Sequence, residues 1–471
     1  MDRTTRTRIF AALTLAAAIS ALVPVVTRRF ELARASQTPF VLYRLAVADP
    51  YLGVAHVRGE VIGSTGPAAP LRAFAGERGR RLDPIGLAAT GPRGERLGIR
   101  TGDGTWTVEN RGLDFAFEYD VFLGRGEHES ADVRDMMTFL DERRCRLLGR
   151  DVFLVPELPI SGGIVVDVET PPGWRLSASS ASVGGRIVAP DLAELPFMMV
   201  VAGDYRDLER NIGGSDIVLA IGGSWSFRDE ELFDVVCRIV SKEISLFGAC
   251  PRARYLFVCD ANPVTGKSRF DYYGIHYGGS MILLLDPGLD ASALMDTPMA
   301  IIAHEFFHNW NGEALEPAGP SFLWFTEGVT NYVSYYVLRE ANIITTGQYE
   351  SRRDAIAERY RANPYAGRVS IGAAGNSDMR DKEMVSLLYD GGFLAAEAID
   401  RRLRSQTAGG VTLVDVVKRM YDDAGGSGIV DERSFLAAAR ELSGADLSSF
   451  LRELVHSGDP GAIATRTSPL E

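Results

Sequence analysis

Between residues 40 and 205, short apolar runs such as VLYRLAVA, LDFAFEYDVFL, GIVVDVE and FMMVVAG alternate with turns rich in glycine, proline and charge. That spacing predicts a succession of short strands with few long helices, hence a β-sandwich-like unit. The arginine- and glycine-dense stretch 75–104 reads as loop. After Asp216 the period changes. Within 230–247, Leu232, Phe233, Val236, Ile239, Val240, Ile244 and Phe247 fall on one helical stripe, and 254–259 and 281–285 are unbroken apolar runs expected of buried strands. From Pro298 onward helical spacing dominates, over 334–342, 384–403, 413–421, 432–442 and 447–455. No repeat of 20–50 residues is visible. The pattern predicts an α+β multidomain chain: an N-terminal segment 1–36, a β domain 37–208, a unit with a small sheet over 209–345, and a helical domain 346–471.

Composition narrows the classes. With 46% hydrophobic and 24% charged residues the 471-residue chain has neither the makeup of a disordered protein nor that of a multi-span membrane protein. A formal charge of -12 gives no basic footprint for phosphates, which argues against a nucleic-acid partner. Cys145, Cys237, Cys250 and Cys259 show no CxxC spacing; a pairing of Cys250 with Cys259 is left open. At the N-terminus, Arg3, Arg6 and Arg8 precede an uncharged run over 9–26 closed by Arg28 and Arg29, the pattern of an export signal. The chain is therefore expected outside the cytoplasm, periplasmic or extracellular, with cleavage of this segment and membrane anchoring through it both open.

The chemistry concentrates at His304-Glu305-Phe306-Phe307-His308. On a helix this puts both imidazoles on one face a turn apart, a spacing that can chelate one metal, while Met299, Ile301, Ile302, Phe306 and Phe307 give the helix a body fit for burial. A catalytic zinc needs a third protein ligand and one open position. Glu327, in LWFTEGVTNY and separated from His308 by eighteen residues that include the loop 312–320, is the candidate. Two histidines and a glutamate form the ligand set of thermolysin-like zinc peptidases. Glu305 cannot usefully ligate from its place on the same helix, but it is positioned beside the open site to act as general base.

HEFFHNW followed by LWFTEGVTNY resembles the glycyl aminopeptidase family of gluzincins, relatives of aminopeptidase N. The resemblance extends downstream to Leu388-Tyr389-Asp390-Gly391-Gly392, similar to that group's Tyr-x-Lys-Gly segment, and upstream, more weakly, to the junction between β domain and catalytic domain. It implies a thermolysin-like catalytic domain over 209–345, one zinc ion, a peptide substrate, and Tyr389 as hydrogen-bond donor to the tetrahedral oxyanion. Relatives carry before the motif a Gly-rich edge segment whose glutamate grips the substrate's free amine. Here that place reads Tyr273-Gly274-Ile275-His276-Tyr277-Gly278-Gly279-Ser280, so Gly274, His276 and Gly278 are the candidate substrate-binding positions and His276 stands where the glutamate is expected. Gly391 replaces the usual lysine, and the chain to Glu471 leaves no room for the PDZ-like domain many relatives append.

The expected function is a zinc-dependent metallopeptidase, in first place an aminopeptidase. Two rivals stay open: a zinc endopeptidase or hydrolase of N-blocked peptides, motivated by His276, and a non-catalytic peptide-binding scaffold, against which the intact Glu305 speaks. Side-chain preference and oligomeric state are not legible in the sequence.

Overall fold

The computed structural model describes residues 40–457, apart from 64–65, 75–81, 103, 125–136, 160–163, 184–185, 190, 263–271, 296 and 379–380. The export segment expected over 1–36 lies outside the described residues, and among those described no helix is long and apolar enough to cross a membrane.

The first half is β structure. A seven-stranded sheet runs in the order Ser182–Val183, Arg186–Ala189, Ile164–Glu169, Phe40–Asp49, Val54–Ile62, Phe115–Phe122, Ile85–Thr90, antiparallel throughout except for the pairing of Phe40–Asp49 with Ile164–Glu169. Val54–Ile62 and Phe115–Phe122 alternate buried and half-buried positions along most of their length, because one face meets the core and the other does not. Two four-stranded sheets complete the layers, and residues of all three share one apolar core. Its large polar-tipped side chains find acceptors: the Tyr43 hydroxyl donates to Leu154 O at 2.7 Å and the Tyr119 hydroxyl to Val152 O at 2.7 Å, as burial of a phenol requires. The stretch 75–104, expected to be loop, contains the strands Ile85–Thr90 and Ile99–Gly102; neither alternates strongly enough to be read from sequence.

The second sheet has five strands in the order Arg206–Ile212, Ser215–Ile221, Arg254–Ala261, Ser280–Leu285, Tyr273–Tyr277. The central three are parallel and the outer two antiparallel to their neighbours. The central strands read as continuous apolar runs because both faces are covered. Ile217, Leu219, Tyr255, Phe257, Met281 and Leu283 face the helices, whereas Val218, Ala220, Leu256, Val258, Ile282 and Leu284 pack against Leu148, Met199 and Val201 of the β domain. Arg206–Ile212 is charged and exposed, an edge strand without a hydrophobic signature. The two halves are also joined by polar contacts: buried Asp260 is ion-paired with Arg144 and Arg146 at 2.8 Å each and accepts from the Tyr205 hydroxyl at 3.0 Å.

Helix Asp229–Phe247 covers one face of the sheet, as its stripe predicts. It also carries Glu243, fully buried with neither carboxylate oxygen hydrogen-bonded. Burial pushes this carboxyl well above the ordinary carboxylate range. The folded chain therefore keeps a proton that the unfolded chain releases above about pH 4.3, and the resulting stabilisation is full below that pH and lost as pH rises toward the folded value. Between pH 5 and 8 the thermal midpoint of the wild type is expected to fall more steeply than that of Glu243→Gln; parallel melting curves across that range would contradict this assignment.

From residue 297 the chain is mainly helical, ending in helices Lys382–Gln406, Leu413–Asp423 and Glu432–Ser443 and the turns that follow. Thr346–Ala362 is a helix that periodicity missed, with only Tyr349, Ile356 and Tyr360 buried. The segment after the HExxH motif is pinned too: Leu315–Pro317 pairs in parallel with Gly428–Val430. All four cysteines are free and buried, so Cys250 and Cys259 are not joined.

Candidate metal centre and active site

Helix Thr297–Phe307 buries Met299, Ile302, Ala303, Phe306 and Phe307 and thereby turns His304 toward Glu327 and Glu305 toward the strand that carries Gly274. His308 follows just past its end, where Asn309, Trp310 and Asn311 direct their amides back to Phe306 and Phe307 carbonyls. The chain then reverses at Gly312, whose φ of +136° and position suit glycine alone: a Cβ there would come within 3.1 Å of His308 Nδ1. Glu327 lies in a single π-helical turn, Trp324–Val329, that runs on into helix Thr330–Glu340. Such turns recur at functional sites because they shift a side chain out of the α-helical register.

These elements bring His304, His308 and Glu327 together, one ligand atom from each lying within 4.8 Å of the others. Glu327 Oε2 is 3.3 Å from His304 Nε2 and 3.8 Å from His308 Nε2. Tetrahedral ligands about 2.0–2.2 Å from a zinc ion are separated by roughly 3.3–3.6 Å, so the donor set and its spacing fit that metal. Burial alone would raise the Glu327 carboxyl, but the charges of His308 and His304 and hydrogen bonds from His304 and the Tyr389 hydroxyl outweigh it and hold the group at about 2. Burial pushes His308 below its ordinary value. Both shifts favour the deprotonated forms that metal binding would require.

Glu305 stands beside the edge strand Tyr273–Tyr277. A Cβ at Gly274 would lie 2.1 Å from Ile301 Cγ2 and 3.3 Å from Glu305 Cγ, so glycine lets strand and helix touch. Burial raises the Glu305 carboxyl above its usual range, partly offset by His308 and His276 and by a hydrogen bond from the backbone of His276. Tyr389 closes the other side. Its ring stacks on His304 with centroids 5.7 Å apart, and its hydroxyl is hydrogen-bonded to Glu327, where burial and that negative charge raise its pKa well above the phenol norm. Tyr389 sits inside helix Lys382–Gln406, whose N-cap is Asp381. What holds it there is a contact between glycines: a Cβ on Gly328 would be 2.3 Å from Gly392 Cα, so the Glu327 turn and the Tyr389 helix meet backbone to backbone. Gly391, at the position where relatives carry lysine, packs against Ile371 and Tyr360 with no space for a side chain.

The three candidate substrate positions separate. Gly274 and His276 lie on the edge strand, but Gly278 belongs to the turn after it, with φ +22° and Phe197 Cβ 3.0 Å from where its own Cβ would be. The His276 ring is engaged at both nitrogens, Nδ1 with the Tyr255 hydroxyl at 2.8 Å and Nε2 with Glu313 Oε1 at 2.8 Å. Glu313 in turn receives Arg252 Nη2 at 2.7 Å, and Arg252 Nη1 reaches Glu194 at 2.9 Å. Burial would raise Glu313, yet His276 and Arg252 hold it at about 2, so it stays anionic. Sequence reasoning missed Glu313, Arg252 and Asn311: each lies outside the motif letters, and only the reversal at Gly312 and the sheet register carry them to the site.

Residues 297–387 match the model of the M61 glycyl aminopeptidase family. The chain is a zinc metallopeptidase, and its motif-bearing segment is similar to that family. Its fold is similar to that of an aminopeptidase N family protein from Idiomarina loihiensis, at 18% identity and a TM-score of 0.75 over 89% of this chain and 76% of that one. An M1 zinc metallopeptidase from Deinococcus radiodurans is similar at 15% identity and TM-score 0.55, over 92% and 96% of the two chains. A mutant of that enzyme bound to a Tyr-Ser-Ala substrate gives 14% and 0.54 over the same shares. No curated protein matches this sequence.

Proposed function

We propose that His304, His308 and Glu327 hold a single zinc ion and that the enzyme is an aminopeptidase, exported as its N-terminal segment implies. The observation that carries the zinc assignment is the convergence of two imidazoles and one carboxylate at ligand spacing beside a carboxylate that is not a ligand. When bound, zinc polarises the scissile carbonyl and acidifies water. Glu305, pressed against the edge strand, takes the proton of the attacking water and passes it to the leaving amine. The Tyr389 hydroxyl donates to the oxygen on which negative charge develops. The backbone of the edge strand at Gly274 and His276 receives the peptide as an added strand.

The aminopeptidase reading draws on Glu313. The negative charge expected at position 276 is supplied one residue further out, by the Glu313 carboxylate 2.8 Å beyond the His276 ring, with Glu194 beside it across Arg252. A second reading, cleavage of internal or N-blocked peptides, is favoured by the engagement of both His276 nitrogens, which leaves the ring itself no means of binding an amine.

Hydrolysis of matched free and N-acetylated peptides, with Glu305→Gln as blank, separates the two. Cleavage of the free peptide at least about 100-fold faster, the scale on which loss of a charge-assisted contact of about 2–3 kcal/mol acts, is the expected result. Equal rates would discard the amine anchor and establish the second reading.

A further inference from the structure

We propose that Asn311 is a positioning residue that fixes two of the three metal ligands at once, His308 through its backbone and Glu327 through its side chain. The inference rests on the ligand assignment above and extends it to a residue that touches neither substrate nor metal.

Asn311 is fully buried. Its carbonyl oxygen lies 2.9 Å from His308 Nδ1. With the proton on Nδ1 donated to that carbonyl, the Nε2 lone pair is left facing Glu327, the tautomer a metal requires; partners of this kind set both ring orientation and ligand basicity. The side chain reaches the other way. Asn311 Nδ2 donates to Thr330 Oγ1 at 3.0 Å and to the carbonyls of Phe325 at 3.1 Å and Thr326 at 3.3 Å. These three acceptors bracket Glu327 in sequence and belong to the π-helical turn and the first residue of the helix after it. In that turn the Thr330 amide goes to Glu327 O, and the Asn311 amide brings a donor to the turn's carbonyls from outside the helix. A buried carbonyl left without a donor costs about 1–3 kcal/mol, so the register that projects Glu327 toward the histidines depends on a residue from the loop after the other two ligands. Because one buried residue holds both, the separation of His308 from Glu327 is set independently of how the two helices pack elsewhere.

Asn311→Ala keeps the backbone carbonyl at His308 and deletes the tether to the turn. Zinc affinity, measured on the full chain by competition with a chromophoric chelator, is expected to fall about 10- to 100-fold, the range for loss of a partner behind a ligand. The visible absorption of the cobalt-substituted protein is expected to change in position and intensity, a readout that lost stability alone does not move. Asn309→Ala is the control. Asn309 is equally buried in the same loop and donates to Phe306 O at 2.7 Å but reaches neither ligand, so it is expected to lower the melting temperature and leave zinc affinity unchanged. Thr330→Val removes one acceptor of the tether while preserving shape, and several-fold weaker zinc binding is expected from it even if Asn311→Ala does not fold. Zinc affinity within twofold of wild type in both Asn311→Ala and Thr330→Val, or an equal loss in Asn309→Ala, would overturn the proposal. Failure of the ligand assignment itself reads differently, as zinc binding that survives His304→Ala.

Discussion

Glu305→Gln is expected to lower kcat by about 10²- to 10⁴-fold, the usual contribution of a positioned general base, with zinc content and fold retained. The amide has the shape of the carboxylate and can still accept the hydrogen bond that the His276 backbone gives Glu305, so the edge strand keeps its contact with the motif helix. What disappears is the lone pair that takes the proton of water. The position also tells against a structural purpose for the acid: burial raises its carboxyl, so a charge there costs stability and the variant is expected to melt no lower than wild type. Steady-state kinetics on a free peptide, with zinc measured in the same preparation, decide the matter. Activity within tenfold of wild type at full zinc content would remove Glu305 from the proton-transfer role and reopen the reading of the chain as a binding scaffold.

The cluster of His304, His308 and Glu327 could be read in the sequence because its geometry is local. His304 and His308 are tied by helical periodicity, and Glu327 follows after a loop that lets the chain turn back toward them. The covered strands 254–261 and 280–285 were legible for a related reason, since burial on both faces writes itself as unbroken apolar runs. Strand Arg206–Ile212 was not legible, because an exposed edge strand is held by its neighbour's backbone and needs no apolar face. Register hid the rest. That the His276 ring meets Tyr255 and Glu313 depends on which residues of three strands and one loop lie side by side, and no spacing within the chain encodes it. Gly391 and Gly392 are the sharpest example. In the sequence Gly391 looks like a lost lysine; in the fold both are places where neighbouring elements come close against the position of a side chain.

Removing only the hydroxyl of Tyr389, by Tyr389→Phe, is expected to reduce kcat by about 10²- to 10³-fold with little change in KM, the signature of a donor that acts on the transition state more than on the bound substrate. The ring remains stacked on His304, and the glycine contact that sets the crossing of its helix against the Glu327 turn is untouched, so the melting temperature is expected to stay close to wild type. The hydroxyl, however, is also a hydrogen-bond partner of Glu327, and that admits a second explanation for lost activity: a ligand held less firmly. The two differ in their response to metal. If the phenol acts on the oxyanion, the deficit persists at saturating zinc and a tetrahedral transition-state analogue loses affinity in proportion to the loss in kcat/KM. If its work is to hold Glu327, added zinc restores the rate and analogue affinity is spared, and Tyr389 then belongs with Asn311 among the residues that place the ligands.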